Sequence, residues 1–151
     1  MPYYISMNEQ MAKIKVSASL EDYLEALYTI IEEKQGVRAI DVARKLNVKK
    51  SSVSEALKTL SLKGLVNYGK YDVISLTDEG KKIAKSVADK HSIILSFFTN
   101  VLGADYENST ESACKIEHVI SDELLDRLVQ FIQYCERTEN REFISKFKNK
   151  L

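Results

Sequence analysis

The sequence predicts a mainly α-helical chain with one short β-hairpin set after its third helix. Three observations carry that expectation. Apolar residues recur at helical spacing along most of the 151 residues. The period changes once, between Gly64 and Thr77, where short runs of strand-forming residues flank a Gly69-Lys70 turn. The single proline, Pro2, lies ahead of all of this, so nothing breaks the helices internally.

Taken in order, Leu20, Tyr23, Leu24, Leu27 and Ile31 share one face of a first helix that stops near Gly36, with Ser19 as N-cap and Asp22 completing an approximate capping box. A short helix fits Ala39 to Leu46, with Ile40, Ala43 and Leu46 inward, and Asn47-Val48-Lys49 forms the turn after it. The third helix runs from Lys50 to Lys63 on Val53, Leu57 and Leu60, and Gly64 stops it. Leu65–Tyr68 and Tyr71–Leu76 pair as the hairpin. Thr77, followed by Asp78 and Glu79, caps a long fourth helix reaching about Asn100. Three more helices follow: Thr110–Val119, Asp122–Cys135 after Ser121, and Glu139–Asn149 after Thr138.

Three helices and a hairpin in this order form the winged helix-turn-helix, whose last helix enters the DNA major groove. Here that helix opens on Lys49, Lys50, Ser51, Ser52 and Ser54, small hydroxyls beside lysines that can meet phosphates and base edges. Lys58 extends the same surface, and Lys70 and Tyr71 at the hairpin tip reach the neighbouring backbone. Glu55 either accepts from cytosine or pairs with Lys58. Charge supports the assignment. Residues 34–90 hold 13 Lys/Arg against 6 Asp/Glu, whereas the remainder holds 9 against 16. A basic block inside a chain of zero net charge fits a polyanion-binding half joined to a carboxylate-rich half.

Composition narrows the rest. An apolar share of 44% supplies a core, and no apolar run approaches the ~20 residues that span a bilayer. Met1 to Val16 lacks the pattern of a secretory signal, and two cysteines make no disulfide framework, so a cytoplasmic protein without a membrane partner is expected.

Cys114, Glu117 and His118 place sulfur, carboxylate and imidazole within one sector of a predicted helix. Asp22 and Glu25 share a face of the first helix, and His91 lies on the fourth. If these helices converge, six donors serve one metal site or two adjacent ones. Each residue alone has an ordinary explanation as cap, solvated charge or core filler.

The order of elements gives them weight. Ser19-Leu20-Glu21-Asp22-Tyr23-Leu24-Glu25-Ala26-Leu27-Tyr28, together with Lys90-His91 and the run from Cys114 to Asp122, resembles the diphtheria toxin repressor family over about residues 17–137. The match is closest to its manganese transport regulator branch. The resemblance implies a homodimeric, metal-dependent repressor of double-stranded operator DNA, probing metal status to control uptake genes. It divides the chain into an extension at 1–16, a winged helix-turn-helix at 17–76, and an all-helical metal-binding and dimerisation domain at 77–151.

Carried over by position, Asp22, Glu25, Glu117 and His118 match primary-site ligands, and His91 matches a ligand of a second, adjacent position that shares Glu25 and Glu117. Cys114 stands where manganese regulators have glutamate and iron regulators cysteine. Iron regulators usually have methionine in place of Asp22, so the site is a hybrid. Leu95 and Thr110 replace ancillary ligands of the iron branch, and the length leaves no room for its SH3-like domain.

Carboxylates and imidazoles suit Mn²⁺ or Fe²⁺, while a thiolate tilts toward Fe²⁺, Co²⁺ or Zn²⁺. Mn²⁺ is favoured, Fe²⁺ next, and Co²⁺ or Zn²⁺ are able to substitute in vitro. Ile93, Ile94, Phe97, Phe98, Val101 and Ile116 form either a dimer face or internal core. An enzyme is not expected: a di-iron carboxylate protein needs two Glu-x-x-His pairs, and Glu117 and His118 are adjacent. The competing expectation is a metal-independent winged-helix regulator sensing a small ligand or oxidation through Cys114 and Cys135.

Overall fold

The computed structural model describes residues 14–34, 36–69 and 73–150. Within them the chain is helical except for one small sheet, as the sequence predicts. The helices are α1 (Ala18–Glu33), α2 (Ala39–Leu46), α3 (Lys50–Leu62), α4 (Asp78–Ser96), α5 (Tyr106–Ile116), α6 (Asp122–Glu136) and α7 (Thr138–Lys148). The strands are β1 (Val66–Tyr68) and β2 (Ile74–Leu76), antiparallel with Asn67 opposite Ser75. Val37, just before α2, adds an isolated bridge to Ile74, so the connection after α1 lies along β2. The hairpin-tip residues Lys70 and Tyr71 lie outside the described residues. Among the described residues, no helix is long and apolar enough to cross a membrane.

Several boundaries differ from those expected, each for a local reason. Ser17, not Ser19, caps α1, accepting from the Leu20 amide at 3.4 Å. Asp22 is thereby released from capping. Ile40 is 47% exposed, because the buried face of α2 is Ala39, Val42 and Ala43. Asp105 starts α5 four residues before Thr110, accepting from Asn108 N at 2.9 Å. Arg137, not Thr138, is the N-cap residue of α7. Beyond Ser96, α4 widens into a π-helical turn, Phe97–Val101, which closes with Leu102 N donating to Phe97 O.

The largest core joins α1, α2, α3, the hairpin and the start of α4. Leu24, Leu27, Val42, Val53, Leu57, Leu60 and Leu65 are fully buried there, beside Ala84 of α4. Two smaller clusters hold the second half: Ile94, Ala113 and Leu125, and then Val101, Ile132 and Cys135, with Ile93 and Leu128 touching both. Of the residues expected as dimer face or internal core, Ile94 and Val101 are buried within these clusters, and Ile93, Phe97, Phe98 and Ile116 pack against them while staying half-buried.

The join between hairpin and α4 is the tightest point. Thr77 Oγ1 donates to the Gly64 carbonyl at 2.8 Å and accepts from the Gly80 amide at 3.1 Å. Gly80 lies against the Leu65 backbone, where a Cβ would fall 1.9 Å from the Leu65 carbonyl oxygen. Any side chain there must push α4 off the hairpin. Gly80→Ala should accordingly lower unfolding stability by about 1–3 kcal/mol, visible as a reduced urea midpoint with an unchanged slope. An unaltered midpoint would mean that this contact does not hold α4 in place.

Candidate metal centre

Three helices bring the centre together. On α1, Tyr23, Leu24 and Leu27 face the core. Glu21, Asp22 and Glu25 lie toward the other edge. α4 presents His91 one helical turn before the buried Ile94. α5 ends at Ile116, so Glu117 and His118 sit in the turn that follows and not within the helix, as their spacing had suggested. The arrangement survives because Glu117 keeps right-handed helical dihedrals and its amide donates to Ala113 O at 3.0 Å.

Glu117 is the centre of the group. Its residue is 2% exposed, a rare situation for a carboxylate. His91 Nδ1 donates to its Oε2 at 2.7 Å. Its Oε1 is buried without a hydrogen bond, 3.5 Å from His118 Nε2. On the other side of the His118 ring, Nδ1 lies 2.7 Å from Glu21 Oε2, while Nε2 also meets Asp22 Oδ1 at 2.8 Å. Cys114 Sγ lies 3.7 Å from His91 Nδ1.

Donor atoms therefore converge in two groups that share Glu117: Asp22, Glu117 and His118, and His91, Cys114 and Glu117, each with its atoms mutually within 4.8 Å. Five of the six residues expected as ligands stand in these groups. Glu25 is adjacent and belongs to neither, yet feels both. Burial, and then the charge of Glu117, push its carboxyl up to about 7.

Electrostatics describe a pocket short of positive charge. Partial burial of the Cys114 thiol, and then Glu117, Glu25 and Asp22, push it up to about 11, although the residue as a whole is exposed at the rim. Near neutral pH that sulfur carries its proton and must release it before ligating. The His91 imidazole is raised by its hydrogen bond to Glu117, against the effect of burial. For His118 burial pulls downward, but Glu21, Asp22 and Glu117 together outweigh it and the ring is raised. The donor set fits a divalent cation. The orphaned Oε1 of Glu117 is a buried acceptor awaiting a partner, and a mixture of carboxylates, imidazoles and one thiol suits first-row metals.

Two family descriptions match along the chain: "Iron dependent repressor, N-terminal DNA binding domain" over residues 15–74, and "Iron dependent repressor, metal binding and dimerisation domain" over 77–144. An HTH-type transcriptional regulator of Methanocaldococcus jannaschii is 42% identical over 119 residues, covering 78% of this chain and 95% of that protein. The chain belongs to the iron-dependent repressor family, the family of the diphtheria toxin repressor and the manganese regulators. The transcriptional regulator MntR of Bacillus velezensis is 37% identical over 82% of this chain and 86% of its own length. The solved structure of the manganese regulator SloR superposes with a TM-score of 0.69 at 34% identity, covering 76% of this chain. This chain spans 54% of that structure's chain. It is thus a metal-dependent transcriptional repressor of this family, and the relatives named above are transcriptional regulators.

In the repressor's α3, Val53, Ala56, Leu57 and Leu60 are buried, and Lys49, Lys50, Ser51, Ser52 and Lys58 are exposed on the opposite side. Ser54 is half-buried, and its hydroxyl donates to Lys50 O at 3.1 Å. Sequence reasoning missed Glu21, which touches His118 from the side away from the converging donors. The only signal for it was its place next to Asp22.

If Glu117 is the shared ligand, Glu117→Ala should weaken Mn²⁺ binding by at least ~100-fold while far-ultraviolet circular dichroism stays helical. Calorimetric titration with MnCl₂ measures this, and an unchanged isotherm would remove Glu117 from the site.

Proposed function

We propose that this repressor acts as a homodimer that binds duplex operator DNA when Mn²⁺ or Fe²⁺ fills the Glu117 pocket, and thereby controls metal-uptake genes. The observation that carries the proposal is the buried Glu117 carboxylate, with one oxygen lacking a hydrogen bond, at the place where α1 meets the end of α5. Asp22, Glu117 and His118 would hold one cation. His91, Cys114 and Glu117, with Glu25 beside them, would hold an adjacent one. A bound divalent ion supplies the positive charge that three converging carboxylates need.

What the residues then do is mechanical. Asp22 and Glu25 belong to the helix that forms the floor of a winged helix-turn-helix spanning 17–76. His91, Cys114, Glu117 and His118 belong to a metal-binding and dimerisation domain spanning 77–151. Ligation from both sides ties α1 to the α4–α5 pair and fixes how the two recognition helices of a dimer are set, one helical turn of DNA apart. Exposed Leu124, Phe131 and Tyr134 on α6, and Phe143 and Phe147 on α7, offer apolar surface for the second copy.

On DNA, Lys49, Lys50, Ser51, Ser52, Ser54, Lys58, Lys70 and Tyr71 make the contacts. Mn²⁺ is favoured over Fe²⁺ because hard oxygen donors outnumber the one thiol, and the relatives named for manganese support that choice.

The test starts from duplexes selected out of a random pool by Mn²⁺-loaded protein. Metal and DNA binding should be coupled by about 1–3 kcal/mol, so chelator-stripped protein should bind the selected duplex roughly 5- to 150-fold more weakly. Equal binding by stripped and loaded protein would overturn the mechanism. Lys50→Ala should weaken binding to all sequences alike and reduce the salt slope by about 1. Cys114→Glu should move activation toward Mn²⁺ relative to Fe²⁺, and an unchanged ratio would show that the thiol does not select the ion.

A further inference from the structure

His118 is gripped on both sides by consecutive residues of one helix, and only one side faces the converging donors. Asp22 Oδ1 and Glu117 Oε1 meet Nε2 at 2.8 and 3.5 Å. Glu21 Oε2 meets Nδ1 at 2.7 Å, and Glu21 belongs to neither group of converging ligand atoms. A carboxylate only accepts, so the bond to Glu21 requires a proton on Nδ1. A neutral imidazole carries one proton. Here both ring nitrogens meet carboxylates, Nδ1 at Glu21 and Nε2 at Asp22; a cation that takes the Nε2 lone pair, on the side of the orphaned Glu117 oxygen, leaves the ring's remaining proton on Nδ1, against Glu21.

We propose that Glu21 is a positioning residue of the metal centre, accepting the Nδ1 proton of His118 and so fixing Nε2 as the nitrogen that ligates. The inference rests on the metal-binding reading given above. Geometry favours orientation over direct ligation. Successive side chains on α1 diverge by about 100°, which lets Glu21 and Asp22 reach opposite sides of one ring. The ring stands in the turn after α5, where the backbone gives it less constraint than a helix interior would. The Glu21 side chain is 24% exposed and that of His118 9%, so the bond lies at the edge of the pocket and partly shielded from water. The same bond joins positions 97 residues apart in sequence, so a ring correctly turned for a cation is also a ring correctly placed between the two halves.

The experiment compares full-length wild type, Glu21→Ala and Glu21→Gln. Mn²⁺ affinity is measured by competition with a fluorescent chelator, and the His118 tautomer by ¹⁵N–¹H correlation spectra of Zn²⁺-loaded protein. Wild type is expected to show Nδ1 protonated and Nε2 bound to the ion. Glu21→Ala should lose about 10- to 100-fold in Mn²⁺ affinity with the number of bound ions unchanged. Glu21→Gln, whose amide oxygen still accepts, should recover most of that loss and keep the tautomer. A merely structural ion pair would alter the melting temperature and leave the tautomer and affinity alone.

Affinity of Glu21→Ala within about twofold of wild type, loss of an ion per subunit, or Nδ1 bound to Zn²⁺ in wild type would each overturn the proposal. Should Glu21→Ala not fold, the wild-type spectrum and the Glu21→Gln affinity still decide. Failure of wild type to bind Mn²⁺ or Zn²⁺ at all would count against the metal centre itself, and not specifically against Glu21.

Discussion

A carboxylate that has left water governs this molecule. The Glu117 side chain is fully buried, and an ion so placed costs several kcal/mol unless partners compensate. His91 satisfies one oxygen and no hydrogen bond satisfies the other. The cost is tolerated because the surrounding helices are held by other means: α1 and α4 share the first core through Leu27 and Ala84, and α4 and α5 share the second through Ile94 and Ala113. Apolar packing creates the place in which an unsatisfied charge can wait, and charge then decides what the place will accept.

The neighbours of Glu117 divide into two kinds. Asp22 and Glu25 add negative charge, and His91 and His118 answer it. Both imidazoles are raised and Glu25 is pushed up to about 7, so the pocket draws protons when no stronger positive charge is present. Protons and a divalent cation therefore compete for the same atoms. They differ in reach: a proton satisfies one pair, such as His91 with Glu117, whereas an ion takes several ligands at once from different helices. His118 already ties the end of α5 to Glu21 and Asp22 of α1, and a cation would add Glu117 to that tie.

Periodic apolar spacing made the helices legible, because α1, α3 and α4 each carry a clear face. The winged helix-turn-helix order followed from one change of period after Gly64. Caps were harder. Two serines precede Leu20, and Ser19 looked better because it places Asp22 three residues on. Starting the helix at Ala18 instead leaves Asp22 free for His118, the contact that its reading as a candidate ligand requires. The start of α5 was missed because its first turn, Tyr106-Glu107-Asn108-Ser109, shows almost no apolar signal. The π-turn after Ser96 has no sequence marker at all, since it keeps the same side chains on a slightly wider ladder.

In the centre itself, residue type and spacing picked out donors but not their division of labour. Cys114 in the last turn of α5 and Glu117 just past its end differ by three positions, yet Glu117 is wholly buried and Cys114 lies at the rim. That contrast depends on α1 crossing over the end of α5, which no local pattern encodes. Glu21 was overlooked for a related reason. Reasoning by helix face assigns adjacent residues to different surfaces, and that is correct for Glu21 and Asp22 with respect to the helix. An imidazole ring has two nitrogens on different edges, so divergent side chains can serve one partner from both sides. The same geometry makes α1 suited to transmission: its buried side carries Leu24 and Leu27 into the core that also holds Val53 and Leu57 of α3, and its other edge is fastened to His118. Since close-packed cores transmit small shifts instead of absorbing them, a change in where α1 is held at the centre must be felt by α3.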